Sequence, residues 1–332
     1  MVVNSGNANT CTGPKGLAAA QVMCGKVAKE LKLKPENVLL ASTGIIGHQL
    51  PIKKINTGIE KAAAKLSSSP SAGLDFARAI MTTDTRPKQA VRKIEISGKK
   101  VTIAGTVKGA GMVGPNMATT ICVITTDIAI GKSLLQKALK KAIGQSLNKL
   151  TVDGHQSTND TAVILASGAA GNRPVVSPCP RYKKFAKALC QLCDDLARQM
   201  ALDAEGATRI FKVLVTGAAT TKDAERAARA VADYDLVKCA VHGKDPNWGR
   251  IICAVGSCGV KLKPNKLSCK IGDVSVFKNG RPTKFNVTKV SKIIGAAEHT
   301  ISVNLGAGTH SDFCYGCDLS REYIRINADY HT

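Results

Sequence analysis

Aromatic side chains are scarce in this 332-residue chain, at 4% with Trp248 the single tryptophan. A nucleic-acid surface built from rings that stack on bases has little material here. No apolar run reaches 18 residues, which excludes a transmembrane helix. The 30 glycines follow no G-X-Y period, so a collagen-like rod is excluded. There is no internal repeat, no long linker and no secretory or targeting segment. Acidic residues are few as well: 24 Asp and Glu face 47 Lys and Arg, for a formal charge of +23. The lysines are spread along predicted helices (Lys26, Lys29, Lys32, Lys34; Lys137, Lys140, Lys141) without a dense basic block. That spread reads as a solvated basic surface, with polyanion binding and attraction of an acidic small molecule as alternatives.

What is present fits a folded globular protein: 44% hydrophobic and 21% charged residues. The length suggests about two core-forming units of roughly 150 residues each. Twelve cysteines are too sparse for a disulfide scaffold and read as reduced thiols of an intracellular protein. Cys190–Cys193 and Cys314–Cys317 have zinc-like local spacing, but the first pair sits inside a helical pattern far from the second. Bacterial cytoplasm is the literal reading of location. A plastid or mitochondrial interior is the alternative if a leader precedes Met1.

Apolar spacing predicts helices over 16–33, 133–150 and 182–200, and another over most of 223–243. KIEISGKKVTIAG (93–105) alternates around Ser97-Gly98, a hairpin signal. NVLLAST, ICVITTDIAI, FKVLVTGAA, IICAVGSCGV, LSCKIGDVSVF and YIRINADY read as strands. Helices mixed with strands and hairpins point to a layered α/β or α+β sheet protein.

The densest feature is the Gly-rich centre from Gly105 to Thr120. Gly109-Ala-Gly111-Met-Val-Gly114 matches GxGxxG, but a dinucleotide site needs a helix next. Pro115-Asn116 and the β-branched ICVITT run follow instead. A bendable Gly-rich segment running into Ala118-Thr119 and then a strand suits an internal acyl shift. The Thr119 hydroxyl attacks the Ala118 carbonyl, and the ester hydrolyses. Cleavage leaves an α-amine, of ordinary pKa about 7.7–8.0, beside the hydroxyl of the same residue. Such a Thr–amine pair is a self-contained nucleophile.

The sequence blocks VVNSGNANTCTG, ENVLLASTGIIGHQL, IMTTDTRPK, KGAGMVGPNMATTICVITTD, TVDGHQSTNDTAVILASG, AEGATRI, HGKDPNWGRI and GCDLSREYIRINADY closely resemble the ornithine acetyltransferase (glutamate N-acetyltransferase) family of arginine biosynthesis, in the family's order along the whole chain. The resemblance implies an α/β sandwich and self-cleavage between Ala118 and Thr119. Residues 1–118 then form a first chain and 119–332 a second, paired in a heterotetramer (α2β2). It makes Thr119 the nucleophile and assigns Thr43 and Gly44 to the oxyanion. Two such donors are worth roughly 3–4 kcal/mol each when preorganised. Substrate contacts carry over to Thr82, Lys108, Thr119, Glu205, Asn327 and Thr332. By charge, Lys108 suits the α-carboxylate shared by N-acetylornithine and N-acetylglutamate, and Glu205 suits an amine of ornithine. Taken alone, Lys108 and Glu205 read as solvated surface charges, and Thr43-Gly44 as a strand end with its turn.

The implied activity is ping-pong acetyl transfer from N-acetylornithine to glutamate, with no metal or organic cofactor. Some family members also use acetyl-CoA, which the residues here leave undecided. A non-processing, non-catalytic paralogue and a basic nucleic-acid binder are the alternatives from other classes. Three departures from the family pattern stand out. The family carries several dozen residues ahead of the VVNSGNAN block, including strands of the first chain. Gly114 stands where a His is usual and Thr120 where a Met often follows the nucleophile. His155 replaces an acid.

Overall fold

The computed structural model describes residues 1–114 and 120–329. Three sheets organise them. In the smallest, β1 (Val2–Asn7) and β2 (Leu40–Ile45) run parallel. The connection between them is α1 (Gly13–Leu31), and α2 (Ile52–Ala64) packs on α1. Met23, Val27 and Ile59 are shared apolar contacts of that layer. Next along the chain comes the short α3 (Pro70–Ala79), capped by the Ser69 hydroxyl accepting from Ala72 N–H at 3.3 Å.

The second sheet has the order β3 (Lys88–Ile96), β4 (Lys99–Lys108), β5 (Ile121–Thr126), β6 (Thr161–Ala166). The hairpin expected at Ser97-Gly98 joins β3 to β4, and both turn residues have positive φ, 53° and 73°, as a two-residue hairpin turn requires. The Gly-rich segment connects antiparallel β4 and β5, with Lys108 opposite Ile121. No helix opens after Gly114 among the described residues, so the context for a dinucleotide fingerprint is missing. One face of this sheet is covered by α4 (Lys132–Gly144) and α5 (Pro180–Ala201), whose Phe185, Leu189, Leu192 and Leu196 follow the helical period into the core.

The third sheet is mixed, in the order β10 (Arg281–Pro282), β9 (Val274–Lys278), β8 (Ser268–Ile271), β11 (Glu298–Asn304), β7 (Ile210–Ala218), β12 (His310–Cys317). A second apolar core lies between it and α6 (Thr221–Asp233), α7 (Asp235–His242), α8 (Trp248–Ser257) and α9 (Val287–Ile294). The last helix is α10 (Arg321–Asp329). The architecture is mixed α/β with several sheets, the class expected.

Three local expectations are corrected. IICAVGSCGV is not a strand: its first seven residues belong to α8, and Ile251, Ala254, Val255 and Cys258 are buried at helical spacing. YIRINADY is likewise helical up to Asp329, and Tyr323 and Asn327 fall one turn apart on one face of α10. The single helix over 223–243 is two, because Tyr234 takes an extended conformation (φ −71°, ψ 111°) between α6 and α7. Cys190 and Cys193 lie in α5, Cys314 and Cys317 in β12. Among the described residues no His, Cys, Asp or Glu group is arranged to hold a metal ion. Nor is any helix among them long and apolar enough to cross a membrane.

Candidate active site

Ala118, Thr119 and Thr332 lie outside the described residues. The other expected residues, and those next to Gly114 and Thr120, come from five parts of the chain. The first is the end of β2. Its Thr43 is buried, and Gly44 stands opposite Gly6 of β1 with φ +127°. A Cβ on Gly44 would lie 2.3 Å from the Gly6 carbonyl carbon and 2.6 Å from Asn7 N, so neither the conformation nor the space admits a side chain. Gly44→Ala should therefore loosen the β1–β2 pair. The backbone conformation alone costs about 1–3 kcal/mol, to be read as a lowered urea midpoint, and an unchanged midpoint would contradict this packing. Ala41 of β2 packs on Ile121 and Val123, which lays this strand over the start of β5.

The second segment is the 79–88 corner. Ser5 Oγ donates to Ala79 O at 2.7 Å and ties it to β1. Asp84, fully buried, gathers the corner around its carboxylate, which accepts Thr82 N–H (3.1 Å), Gly109 N–H (2.7 Å) and Lys88 Nζ (2.5 Å). Burial works against that charge, yet Lys88 and the two amides hold the carboxyl below the usual aspartate range. Lys88 Nζ also meets Asp203 Oδ2 at 2.5 Å. Asp203 in turn accepts the amide and hydroxyl of Thr85. One buried ammonium thus joins two buried carboxylates.

Lys108, the last residue of β4, is 1% exposed and donates from Nζ to Thr82 Oγ1 at 3.2 Å. Its pKa is lowered to about 8, chiefly by burial; Asp84, Asp160 and Glu205 oppose the shift and Lys88 adds to it. From here the Gly-rich loop is pinned residue by residue. Ala110 O accepts Glu205 N–H at 2.9 Å. Asp153 accepts Met112 N–H at 2.7 Å, Val113 N–H at 2.9 Å and the Tyr323 hydroxyl at 3.1 Å. At Gly111 a Cβ would sit 2.2 Å from Glu205 Oε2, so a side chain there would displace the Glu205 carboxylate. At 114 a Cβ would meet the Gly154 carbonyl carbon at 2.6 Å and His155 N at 2.9 Å. Two of the departures from the family pattern, Gly114 and His155, are therefore backbone neighbours.

The fourth and fifth parts complete the site. Glu205, also buried, accepts Asn327 Nδ2–H of α10 at 2.9 Å. The loop before β6 brings Asp160, which accepts Thr120 N–H at 2.7 Å. Beside it, Asn9, Leu40 to Ser42 and Thr158 to Thr161 line a cleft of about 260 Å³.

Of the residues expected from the sequence, Thr82 is in contact with Lys108, and Glu205 with Asn327. Lys108 and Glu205 also lie within electrostatic reach of each other. Thr43 and Gly44 stand on the strand laid over β5. The expectation of solvated surface charges, from the residues alone, fails for both Lys108 and Glu205. Asp84, Lys88, Asp153, Asp160, Asp203 and Tyr323 went unassigned. Four of them are carboxylates, and their placement at breaks between elements (IMTTDT, TVDG, STND, LDAEG) was the available signal.

Comparisons with known proteins identify the family. The ArgJ family model matches residues 1–332. The arginine biosynthesis bifunctional protein ArgJ of Symbiobacterium thermophilum is 44% identical over 332 residues, spanning all of this chain and 82% of its own length. That of Listeria monocytogenes is 43% identical with the same coverage. The crystal structure of the Bacillus halodurans arginine biosynthesis bifunctional protein, 42% identical, superposes with a TM-score of 0.60 over 62% of this chain and 97% of its own. The chain belongs to the ArgJ family of bifunctional acetyltransferases of arginine biosynthesis.

Proposed function

We propose that the chain cleaves itself between Ala118 and Thr119 and then moves an acetyl group from N-acetylornithine to glutamate through Thr119. The observation that carries this reading is the pairing of two buried, oppositely charged groups around the loop that leads to residue 119. Lys108 with Thr82 offers a cation and a hydroxyl to an α-carboxylate, and Glu205 with Asn327 offers an anion to an amine. Buried charges of this kind are costly unless a function or a partner compensates them.

In the first half-reaction Thr119 Oγ attacks the acetyl carbonyl and its proton passes to the Thr119 amine. Thr43 and Gly44 N–H receive the oxyanion. The C–N bond breaks, the proton leaves with ornithine, and an acetyl ester stays on Thr119. In the second half-reaction the glutamate amine attacks the ester, the C–Oγ bond breaks, and N-acetylglutamate leaves. Acetyl-CoA, a thioester, can load the same hydroxyl. Cleavage gives chains 1–118 and 119–332, and Asn327 and Thr332 at the far end of the second chain complete the substrate contacts. The cleaved chains pair as a heterotetramer, as the family resemblance implies, and a cytoplasmic setting suits the bacterial relatives and twelve thiols outside any disulfide.

Intact-mass measurement tests the reading. The purified protein should show two chains, and N-acetylornithine alone should add one acetyl group to the second, discharged on adding glutamate. Acetyl-CoA serves as a parallel donor. A chain that stays whole and never acylates would leave the non-catalytic paralogue as the better account.

A further inference from the structure

The residue after the nucleophile is held on both of its backbone polar groups. Thr120 N–H donates to Asp160 Oδ1 at 2.7 Å, and Thr120 O accepts Thr161 N–H at 2.8 Å. From Thr120 onward the chain enters β5, paired with β4 through Lys108–Ile121 and with β6 through Ile121–Thr161. Asp160 is the residue immediately before β6, so its carboxylate closes the open end of the parallel β5–β6 pair one hydrogen bond earlier than the backbone alone could.

We propose that Asp160 is a positioning residue for residue 119, in self-cleavage and in acetyl transfer. A trans peptide is planar, and Cα atoms across it are about 3.8 Å apart. Holding the Thr120 amide holds the nitrogen to which the carbonyl carbon of residue 119 is covalently joined, one peptide bond from the reacting hydroxyl and amine. Pinning a reacting group by a neighbouring amide matters because a misplacement of about 1 Å can cost on the order of 100-fold in rate. The hydrogen bond is charge-assisted when Asp160 is ionised, roughly twice as strong as a neutral one. With burial raising it and the Thr120 amide, the Lys108 ammonium of β4 and the Ser157 amide opposing that rise, the Asp160 pKa comes to about 6. At neutral pH the clamp is charged, and it weakens as pH falls through about 6.

The inference rests on Thr119 being the nucleophile, and self-cleavage is the clean readout, since the precursor has no free amine at 119 to titrate. Precursor made by cell-free synthesis is followed by intact mass against pH. Wild type should cleave faster as pH rises through about 6. Asp160→Ala should cleave on the order of 10–100-fold more slowly. Asp160→Asn, which keeps a neutral acceptor for the Thr120 amide, should fall between them and lose the pH dependence near 6. In mature enzyme, with rates expressed per folded molecule, the loss should appear in kcat rather than in KM for N-acetylornithine. Circular dichroism and urea midpoints verify that each variant is folded. Wild-type cleavage rates in folded Asp160→Ala would overturn the positioning role while leaving the nucleophile in place. Cleavage in a parallel Thr119→Ala control would overturn the nucleophile itself.

Discussion

Thr119→Ala yields a single uncleaved chain and reduces transfer between N-acetylornithine and glutamate by on the order of 10⁴-fold or more. Two losses are combined in that one substitution. In the proposed mechanism the hydroxyl that attacks the Ala118 carbonyl is gone, so no new terminus should form. The same hydroxyl is the proposed acetyl carrier, so even a chain cleaved by other means should have no ester to form. Groups that act as one nucleophilic unit fail together: removing one costs nearly as much as removing the whole unit. Thr119→Ser is the necessary partner, because it keeps an oxygen nucleophile and an amine. It should still cleave and still take up acetyl from the donor, more slowly. Thr82, Lys108, Glu205 and Asn327 are untouched in both variants, so N-acetylornithine should still bind Thr119→Ala, as titration calorimetry can record. An alanine variant that separates into two chains at 118/119, or that still carries acetyl, would refute the assignment.

The parts of the fold legible in the sequence were those with one wet and one dry side. α1, α4 and α5 each bury a stripe at helical spacing, and β3–β4 alternates around a turn that needs positive φ at Ser97 and Gly98. α8 was misread because its apolar run, Ile251 to Val255, is short and nearly continuous, and such runs look alike in helix and strand. α10 was misread for the opposite reason. It buries no residue fully, so it has no apolar stripe, and Tyr-Ile-Arg-Ile-Asn imitates strand alternation. At the site, the block carrying each expected residue was readable, but its burial was not. Lys108 ends an exposed-looking Thr-Val-Lys run and becomes dry only because Thr82, Asp84 and Glu205 arrive from distant segments. Asp84 and Asp203 are more than a hundred positions apart in sequence and meet on one ammonium. No local pattern encodes that meeting.

That ammonium gives the second large effect: Lys88→Met should destabilise the protein by about 3–5 kcal/mol at pH 7. The substitution fits the space, since Met replaces the aliphatic stem of a side chain that is 1% exposed. What it removes is the only cation within hydrogen-bonding distance of both Asp84 and Asp203 among the described residues. The two carboxylates would then share a buried site with only Arg86 Nε at 3.8 Å from Asp203 and the Lys108 ammonium in electrostatic reach of Asp84, which favours proton uptake by one of them. The sign of the pH effect follows. In wild type the Asp84 pKa is depressed, so its contribution is present above the unfolded aspartate pKa of about 3.9 and is lost as pH falls through the lower folded value. In Lys88→Met a raised carboxyl pKa reverses this, and stability is recovered as pH falls toward that raised value. Urea denaturation at pH 7 and pH 5 should show the gap between variant and wild type narrowing at the lower pH. Since Asp84 also accepts the Thr82 and Gly109 amides on either side of the substrate cation, KM for N-acetylornithine should rise in whatever fraction folds. A loss below about 1 kcal/mol, equal at both pH values, would mean that Lys88 is a spectator and that the amides alone hold the two carboxylates.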